Sequence, residues 1–383
     1  MNQIYLIPGF FGFTNLGELL YFMHLKDLLH EQLDRLEVPA EVHMVHTLPT
    51  ASIRRRAAAL LNDIAATAGE EDAIHLIGHS TGGLDARLLS SPNVSLDTPH
   101  DIESFASRIR SVVTVSTPHH GTPLATFFSG IIGQKLLRLL SITTVYSLRF
   151  GRLPLSFLLR LGKLISVLDN PLGWNQTILD QLFAQLLGDF TADRRLALSE
   201  FFSNVGEDQS LLSQLTPENI DLFNASIVNR PGTCYGSVLT WSLPPNIRGR
   251  LKVGLDPYAQ VTHSLYNWLY RAASRMPPPK VADPTRRYAD VFRSRYGEVP
   301  TARDTDGIVP TLSQPHGEVI AAARADHLDI VGHFKDPHHE PPHIDWLASG
   351  SGFRRPQFDT IWYQVCQFIS DTALRRPASP KSA

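Results

Sequence analysis

The stretch AIHLIGHSTGGLDARLL, residues 73–89, decides how the chain is read. Residues 73–77 form a compact apolar run of strand character, and residues 82–89 look helical. Between them, Gly78-His79-Ser80-Thr81-Gly82 matches G-x-S-x-G. A serine on a sharp strand-to-helix turn is held in a strained backbone conformation that exposes its hydroxyl. Glycines two before and two after it remove the side chains that would collide across the turn. Five-residue matches arise by chance, so the weight rests on the flanking strand and helix. The competing reading is a plain structural turn.

Strands and helices alternate outward from this point. Residues 3–7 are a β-rich run ended by Pro8-Gly9, and apolar positions across residues 16–33 have helical spacing. Residues 42–45 suggest a second strand, 53–67 an Ala- and Leu-rich helix, 111–115 a β-branched strand and 236–241 another. Several strands are apolar along most of their length, the mark of a strand covered on both faces. The expected class is therefore α/β, a mostly parallel sheet with helices on both faces.

From Gly121 to about Phe190 the pattern becomes Leu- and Phe-rich helical segments broken by Gly and Pro, with six basic and three acidic residues. Such a segment is either a set of buried core helices or an apolar insertion over a binding site. The expected layout is a core of residues 1–120 and 205–374, a helical cap over 121–204, a further insertion at about 246–300 and a disordered tail at 375–383.

Composition removes several classes of function. The 383 residues carry 35 Lys and Arg against 37 Asp and Glu, a net charge of −2, with 43% hydrophobic residues. That balance gives no electrostatic reason to expect a nucleic-acid partner. Cys234 and Cys366 are too few for a disulfide framework or a thiolate metal site, although a single bridge between them is compatible with the sequence. No apolar run is long enough for a membrane span, and the opening MNQIYLIPGF lacks the pattern of a signal peptide. A cytoplasmic location is the default expectation, with secretion left open. Composition is silent on oligomeric state.

A serine at its ordinary pKa is a poor nucleophile. It needs a base within reach, an acid to orient that base, and donors for the developing oxyanion. The backbone N–H of Thr81 is the first donor candidate, because it follows the serine at the start of a helix. The loop leaving the first strand, Pro8-Gly9-Phe10, is the natural source of the second, with Phe10 N–H the candidate; an ordinary glycine turn is the alternative. For the acid, RDTDG offers Asp304 and Asp306. Only Asp306 directly precedes a glycine at a turn, where backbone donors can hold the carboxylate.

LIPGFFGF near the start, GHSTGG, VVTVSTPHHGTPLA, LLSQLTPENIDLFNASI, TDGIVP and finally DHLD follow one another as quoted. In that order and at similar spacing they resemble the bacterial triacylglycerol lipases and esterases of the α/β-hydrolase fold. The resemblance covers most of the core but not the insertions. It implies Ser80 as nucleophile, Asp306 as triad acid and His327 as base. Two departures are visible: Pro8-Gly9 stands where the family has His-Gly, and Thr117-Pro118-His119-His120-Gly121 where it has T-P-H-R-G. The resemblance also makes Asp329, two after the base, a calcium candidate. No partner aspartate stands out across residues 246–300, so no cofactor is expected.

Residues 325–346 hold five histidines and five acidic residues. Zinc would want two histidines a helical turn apart; His339 and His343 have that spacing, but Pro341 and Pro342 between them resist a helix. His338 and His339 are expected to face solvent, His333 to bond locally and His343 to pack near Trp346. The expected function is hydrolysis of esters with apolar acyl chains, triacylglycerols or hydrophobic polyesters among them, with transient contact between the cap and a lipid interface. An acyltransferase with the same triad, or a non-catalytic binding protein on the same fold, is the alternative.

Overall fold

The computed structural model describes residues 1–10, 21–150, 153–167, 176–196, 198–199, 208, 210–246, 249, 251, 253–254, 256–275, 284–340 and 345–374. The first half alternates as the sequence reading expects. It runs β1 (Asn2–Ile7), α1 (Leu25–Arg35), β2 (Ala40–Met44), α2 (Ile53–Thr67), β3 (Ala73–His79), α3 (Gly82–Ser90), α4 (Ile102–Ala106) and β4 (Ile109–Val115). Four helices follow: α5 (Pro123–Phe128), α6 (Ile131–Phe150), α7 (Leu155–Val167) and α8 (Gln176–Gly188). The chain then continues through α9 (Ser210–Gln214), α10 (Pro217–Ser226), β5 (Cys234–Thr240), α11 (Pro257–Ala273), α12 (Pro284–Tyr296), β6 (Glu318–Ala323) and α13 (Arg355–Leu374).

The six strands form one sheet in the order β2-β1-β3-β4-β5-β6, and each neighbouring pair is parallel. Successive side chains of a strand point to opposite faces, so an apolar strand feeds two cores. Ile4 and Leu6 of β1 pack with α1 and α13 on one side. Tyr5 and Ile7 pack with α2 and α3 on the other. The register sets Ile7 beside Gly78 and Gly78 beside Thr114, which brings the carboxyl ends of β1, β3 and β4 together. Ligands of open α/β sheets bind at that edge.

A third apolar cluster lies apart from the sheet. Leu136, Leu140, Phe157, Leu161, Leu182 and Leu186 of α6 to α8 pack with Trp268, Leu269 and Ala273 of α11. Burying one such leucine contributes about 2 kcal/mol. The helix from the 246–300 insertion thus shares a core with the 121–204 segment.

Three expectations change. The helix read over residues 16–33 begins only at Leu25, and residues 11–20 lie outside the described set. Its near side is diverted because Met23 N–H bonds to Val331 O at 2.9 Å and Tyr21 O bonds to the His333 ring at 2.9 Å, so the backbone is engaged elsewhere. Strand β6 has no counterpart in the sequence reading: EVIAAA has weak strand propensity and is a strand because β5 pairs with it. His339 is half-buried, its ring 4.0 Å from that of His24, while His338 is exposed as expected. His343 and the 375–383 tail lie outside the described residues. No disulfide joins Cys234 and Cys366, and burial pushes the Cys366 thiol up to about 12.

Candidate active site

Ser80 sits between β3 and α3 with φ at 54°, a left-handed conformation that is strained for a side chain with a Cβ. Its N–H is anchored to Val115 O at 2.8 Å. A Cβ added to Gly78 would strike the Gly82 backbone, and one added to Gly82 would strike Ile7 O, so both glycines of the motif are required by close approach. Thr81 opens α3, where a helix leaves its first N–H groups without intrahelical partners.

The turn after β1 is held from two sides. Arg56 is fully buried and donates from Nη2 to Pro8 O at 2.8 Å and from Nη1 to Leu48 O at 2.8 Å. Its charge is met by buried Asp85, 2.7 Å away. Burial pushes the Asp85 carboxyl up to about 6, against the pull of Arg56. From the other side, Gly9 N–H donates to the Tyr21 hydroxyl at 3.0 Å. A Cβ on Gly9 would lie 2.6 Å from Ser80 Cβ and 2.8 Å from the Tyr21 hydroxyl.

His327 Nδ1 lies 2.8 Å from Asp306 Oδ2, and both residues are buried. Asp306 Oδ1 accepts from Ile308 N–H at 3.0 Å and Val309 N–H at 2.7 Å. Its Oδ2 accepts from Thr240 Oγ1 at 2.8 Å and Gln314 Nε2 at 3.2 Å. A carboxylate so surrounded can orient an imidazole without moving. Asp304 points elsewhere, accepting from Thr301 N–H and Oγ1 at 2.7 Å each. His333 bonds locally through its N–H to Leu328 O at 3.1 Å, while its ring Nε2 reaches Tyr21 O at 2.9 Å.

Phe10, Ser80, Thr81 and His327 line one cavity of about 170 Å³. A cavity of roughly 150 Å³ takes a benzene-sized apolar molecule, so the space suits a compact acyl chain. Its far wall is apolar: Leu137, Leu140, Leu158 and Leu161 of the 121–204 segment, with Val261 and Leu265 of α11. Among the described contacts, no direct hydrogen bond joins Ser80 Oγ to the His327 ring.

Asp329 does have partners, though not across the 246–300 insertion. Carboxylate oxygens of Asp326, Asp329 and Asp345 lie within 4.8 Å of one another. Burial, and for Asp329 and Asp345 the neighbouring carboxylates, raises all three: Asp326 to about 6, Asp345 to about 8 and Asp329 well above its ordinary value. Asp345 Oδ1 is buried and has no hydrogen-bond partner among the described residues. An all-oxygen donor set with an orphaned carboxylate oxygen fits a hard divalent cation.

Sequence reasoning missed Arg56, Asp85, Tyr21, Gln314 and the role of His79. His79 lies inside the motif and was open to notice. Asp85 lies in the same stretch but reads as an ordinary helix charge, and Arg56, Tyr21 and Gln314 come from other segments with no local pattern.

No protein-family model and no curated protein sequence matches the chain. Among solved structures, lipase 1 of Pelosinus fermentans is similar with a TM-score of 0.55 and 16% identity, over 96% of this chain and 98% of that one. A metagenomic carboxyl esterase is similar with a TM-score of 0.50 and 14% identity, over 97% of this chain and 76% of that one. At such identities the likeness establishes the fold: this chain is an α/β-hydrolase-fold protein. Among the described residues, no helix is long and apolar enough to cross a membrane.

Proposed function

We propose that this protein is a serine hydrolase of carboxylic esters with apolar acyl chains. The observation that carries the reading is the left-handed Ser80 on the wall of an apolar cavity that also holds His327, itself bonded to buried Asp306. Similar proteins of the fold include a lipase and a carboxyl esterase by name.

In this reading Ser80 Oγ attacks the ester carbonyl as His327 Nε2 takes its proton. The tetrahedral oxyanion receives hydrogen bonds from Phe10 and Thr81 N–H. Collapse expels the alcohol, protonated by His327, and leaves an acyl-enzyme that water cleaves by the same steps in reverse roles. Asp306 fixes the imidazole with its proton on Nδ1 and stabilises the imidazolium. The Ser80 to His327 bond forms on substrate binding, as catalytic contacts often tighten only in the complex. The cap helices cover the acyl chain and keep water from the intermediate.

Asp326, Asp329 and Asp345 would hold a calcium ion, which supplies positive charge that steadies the loop carrying His327. A rise in Tm with millimolar calcium, reversed by chelator and absent in Asp329→Asn, checks this without reference to turnover.

The direct test is hydrolysis of a p-nitrophenyl ester series from short to long chains. Covalent labelling by a fluorophosphonate that Ser80→Ala abolishes assigns the nucleophile, and labelling at full extent in Ser80→Ala would overturn the reading.

A further inference from the structure

Three pieces of the site come from remote points of the chain: the turn at Gly9, the serine elbow at His79-Ser80 and the base His327. Two side chains outside the triad, buried His79 and half-buried Tyr21, connect them. The Tyr21 hydroxyl lies 3.0 Å from Gly9 N and 2.6 Å from His79 Nδ1. His79 Nε2 lies 2.9 Å from the carbonyl oxygen of His327.

The proton positions in this chain follow from its ends. Gly9 N–H is an obligate donor, so the tyrosine oxygen accepts from it and gives its own proton to His79 Nδ1. That occupies Nδ1 as an acceptor and puts the histidine proton on Nε2. The carbonyl of His327 is an obligate acceptor and receives it. Every link therefore points from Gly9 toward His327, and neither side chain can reverse without leaving two acceptors facing each other. Both groups are kept neutral by burial, which pushes His79 far down and Tyr21 far up. The His79 ring also lies 4.6 Å from the His327 ring, so a neutral His79 places no charge beside the imidazolium that forms during turnover.

We infer that Tyr21 and His79 act together as positioning residues, a proton-ordered strut that fixes the oxyanion turn and the catalytic histidine relative to the nucleophile. The inference deepens the proposed ester-hydrolase reading and rests on it for its kinetic consequence. The effect of losing the hydroxyl is on rate more than on binding, because the strut holds the backbone that carries the reacting groups, and Tyr21→Phe keeps the ring that Tyr21 presents to the cavity. Displacements well under 1 Å between such groups lower turnover.

The test has a kinetic and a spectroscopic arm. Tyr21→Phe is expected to lower kcat about 10- to 100-fold with KM changed less than about twofold. His79→Gln keeps an acceptor and a donor in one side chain and is expected to retain most of the activity that His79→Leu loses. Tyr21→Phe combined with His79→Leu should be no worse than the poorer single variant, since the strut fails as a unit. Nitrogen-15 NMR of histidine-labelled protein should show the His79 signal as the Nε2–H tautomer, displaced in Tyr21→Phe. Wild-type kcat in a Tyr21→Phe variant with lowered Tm, or an unchanged His79 tautomer, would sink the strut and leave the hydrolase reading standing. Undiminished hydrolysis in Ser80→Ala would do the reverse, since the tautomer measurement needs no turnover. If Tyr21→Phe does not fold, the comparison of His79→Gln with His79→Leu decides alone.

Discussion

The two walls of the cavity are built on different principles. At the sheet edge, the Ser80 N–H, the His327 ring and the Asp306 carboxylate are held by hydrogen bonds, with Arg56, Tyr21 and Gln314 behind them. The facing wall is mostly leucines on helices, with only scattered polar side chains such as Thr143 and Thr262 among its described residues. One wall sets geometry to fractions of an ångström; the other only excludes water and offers volume. Substitutions should divide the same way, steep on the first wall and graded on the second.

The steepest break is at the reacting groups. Ser80→Ala and His327→Ala are each expected to reduce kcat by about 10⁴- to 10⁶-fold, since members of a triad act as a unit. Tm should change by no more than a few degrees. A p-nitrophenyl ester assay beside thermal unfolding checks both halves of the statement, and full turnover in His327→Ala would remove it from the base role.

Next comes the buried pair. Arg56→Met leaves Asp85 without its partner in a site closed to water, which costs about 3–5 kcal/mol and should appear as a lower urea midpoint. Pairing it with Asp85→Leu should recover much of that stability without recovering activity, because Pro8 O still lacks its donor. Recovery of both would mean that Arg56 serves packing alone.

Much of the first wall was legible in the sequence, and almost none of its support. Strand, G-x-S-x-G and helix are contiguous, so a local pattern betrays Ser80; the turn glycine beside Asp306 marks the acid in the same way. Arg56 reads as one more charge on an amphipathic helix, yet it is fully buried. Tyr21 sits where apolar spacing suggests helix, because its value lies in reaching Gly9 and His79 across the fold. The aspartate cluster escaped for a related reason. Its partners are Asp326, inside DHLD itself, and Asp345, beyond the proline-rich loop, not residues of the 246–300 insertion. Hydrophobic periodicity reports local structure, and side-chain networks between distant segments leave no trace in it.

The sheet also carries a pH signature separate from catalysis. His75 is fully buried between Ser111 and Asn2, and burial, with a smaller push from Arg110, lowers it to about 4. Its folded value lies below the unfolded one, so the stability it contributes is complete above pH 6.5 and is lost as pH falls toward 4. Between pH 7.5 and 5 the loss is about 2 kcal/mol. The stability difference between wild type and His75→Gln should shrink by that amount over the same range; a constant difference would place the titration elsewhere.

On the apolar wall, bulk should act by degrees. Leu158→Phe narrows the cavity from the α7 side and should lower kcat/KM for long-chain esters about tenfold relative to short-chain ones, the worth of a methylene or two. The ratio across the ester series reads this directly, and an unchanged ratio would mean the acyl chain lies elsewhere.

The smallest effect on stability is expected on the outer face of the same helix. Leu155 is 58% exposed and Leu159 64%, one turn apart on α7, while Phe157, Leu158 and Leu161 of that helix are buried. Exposed leucines contribute little to the fold, so Leu155→Ser with Leu159→Ser should change unfolding free energy by less than about 1 kcal/mol. If the cap meets a lipid surface, the same pair should weaken adsorption to an emulsion while leaving hydrolysis of a dissolved short-chain ester untouched, because neither leucine lines the cavity. Equal losses on dissolved and emulsified substrate would show that α7 works through the cavity, and the distinction between an aiming wall and an accommodating one would have to be redrawn there.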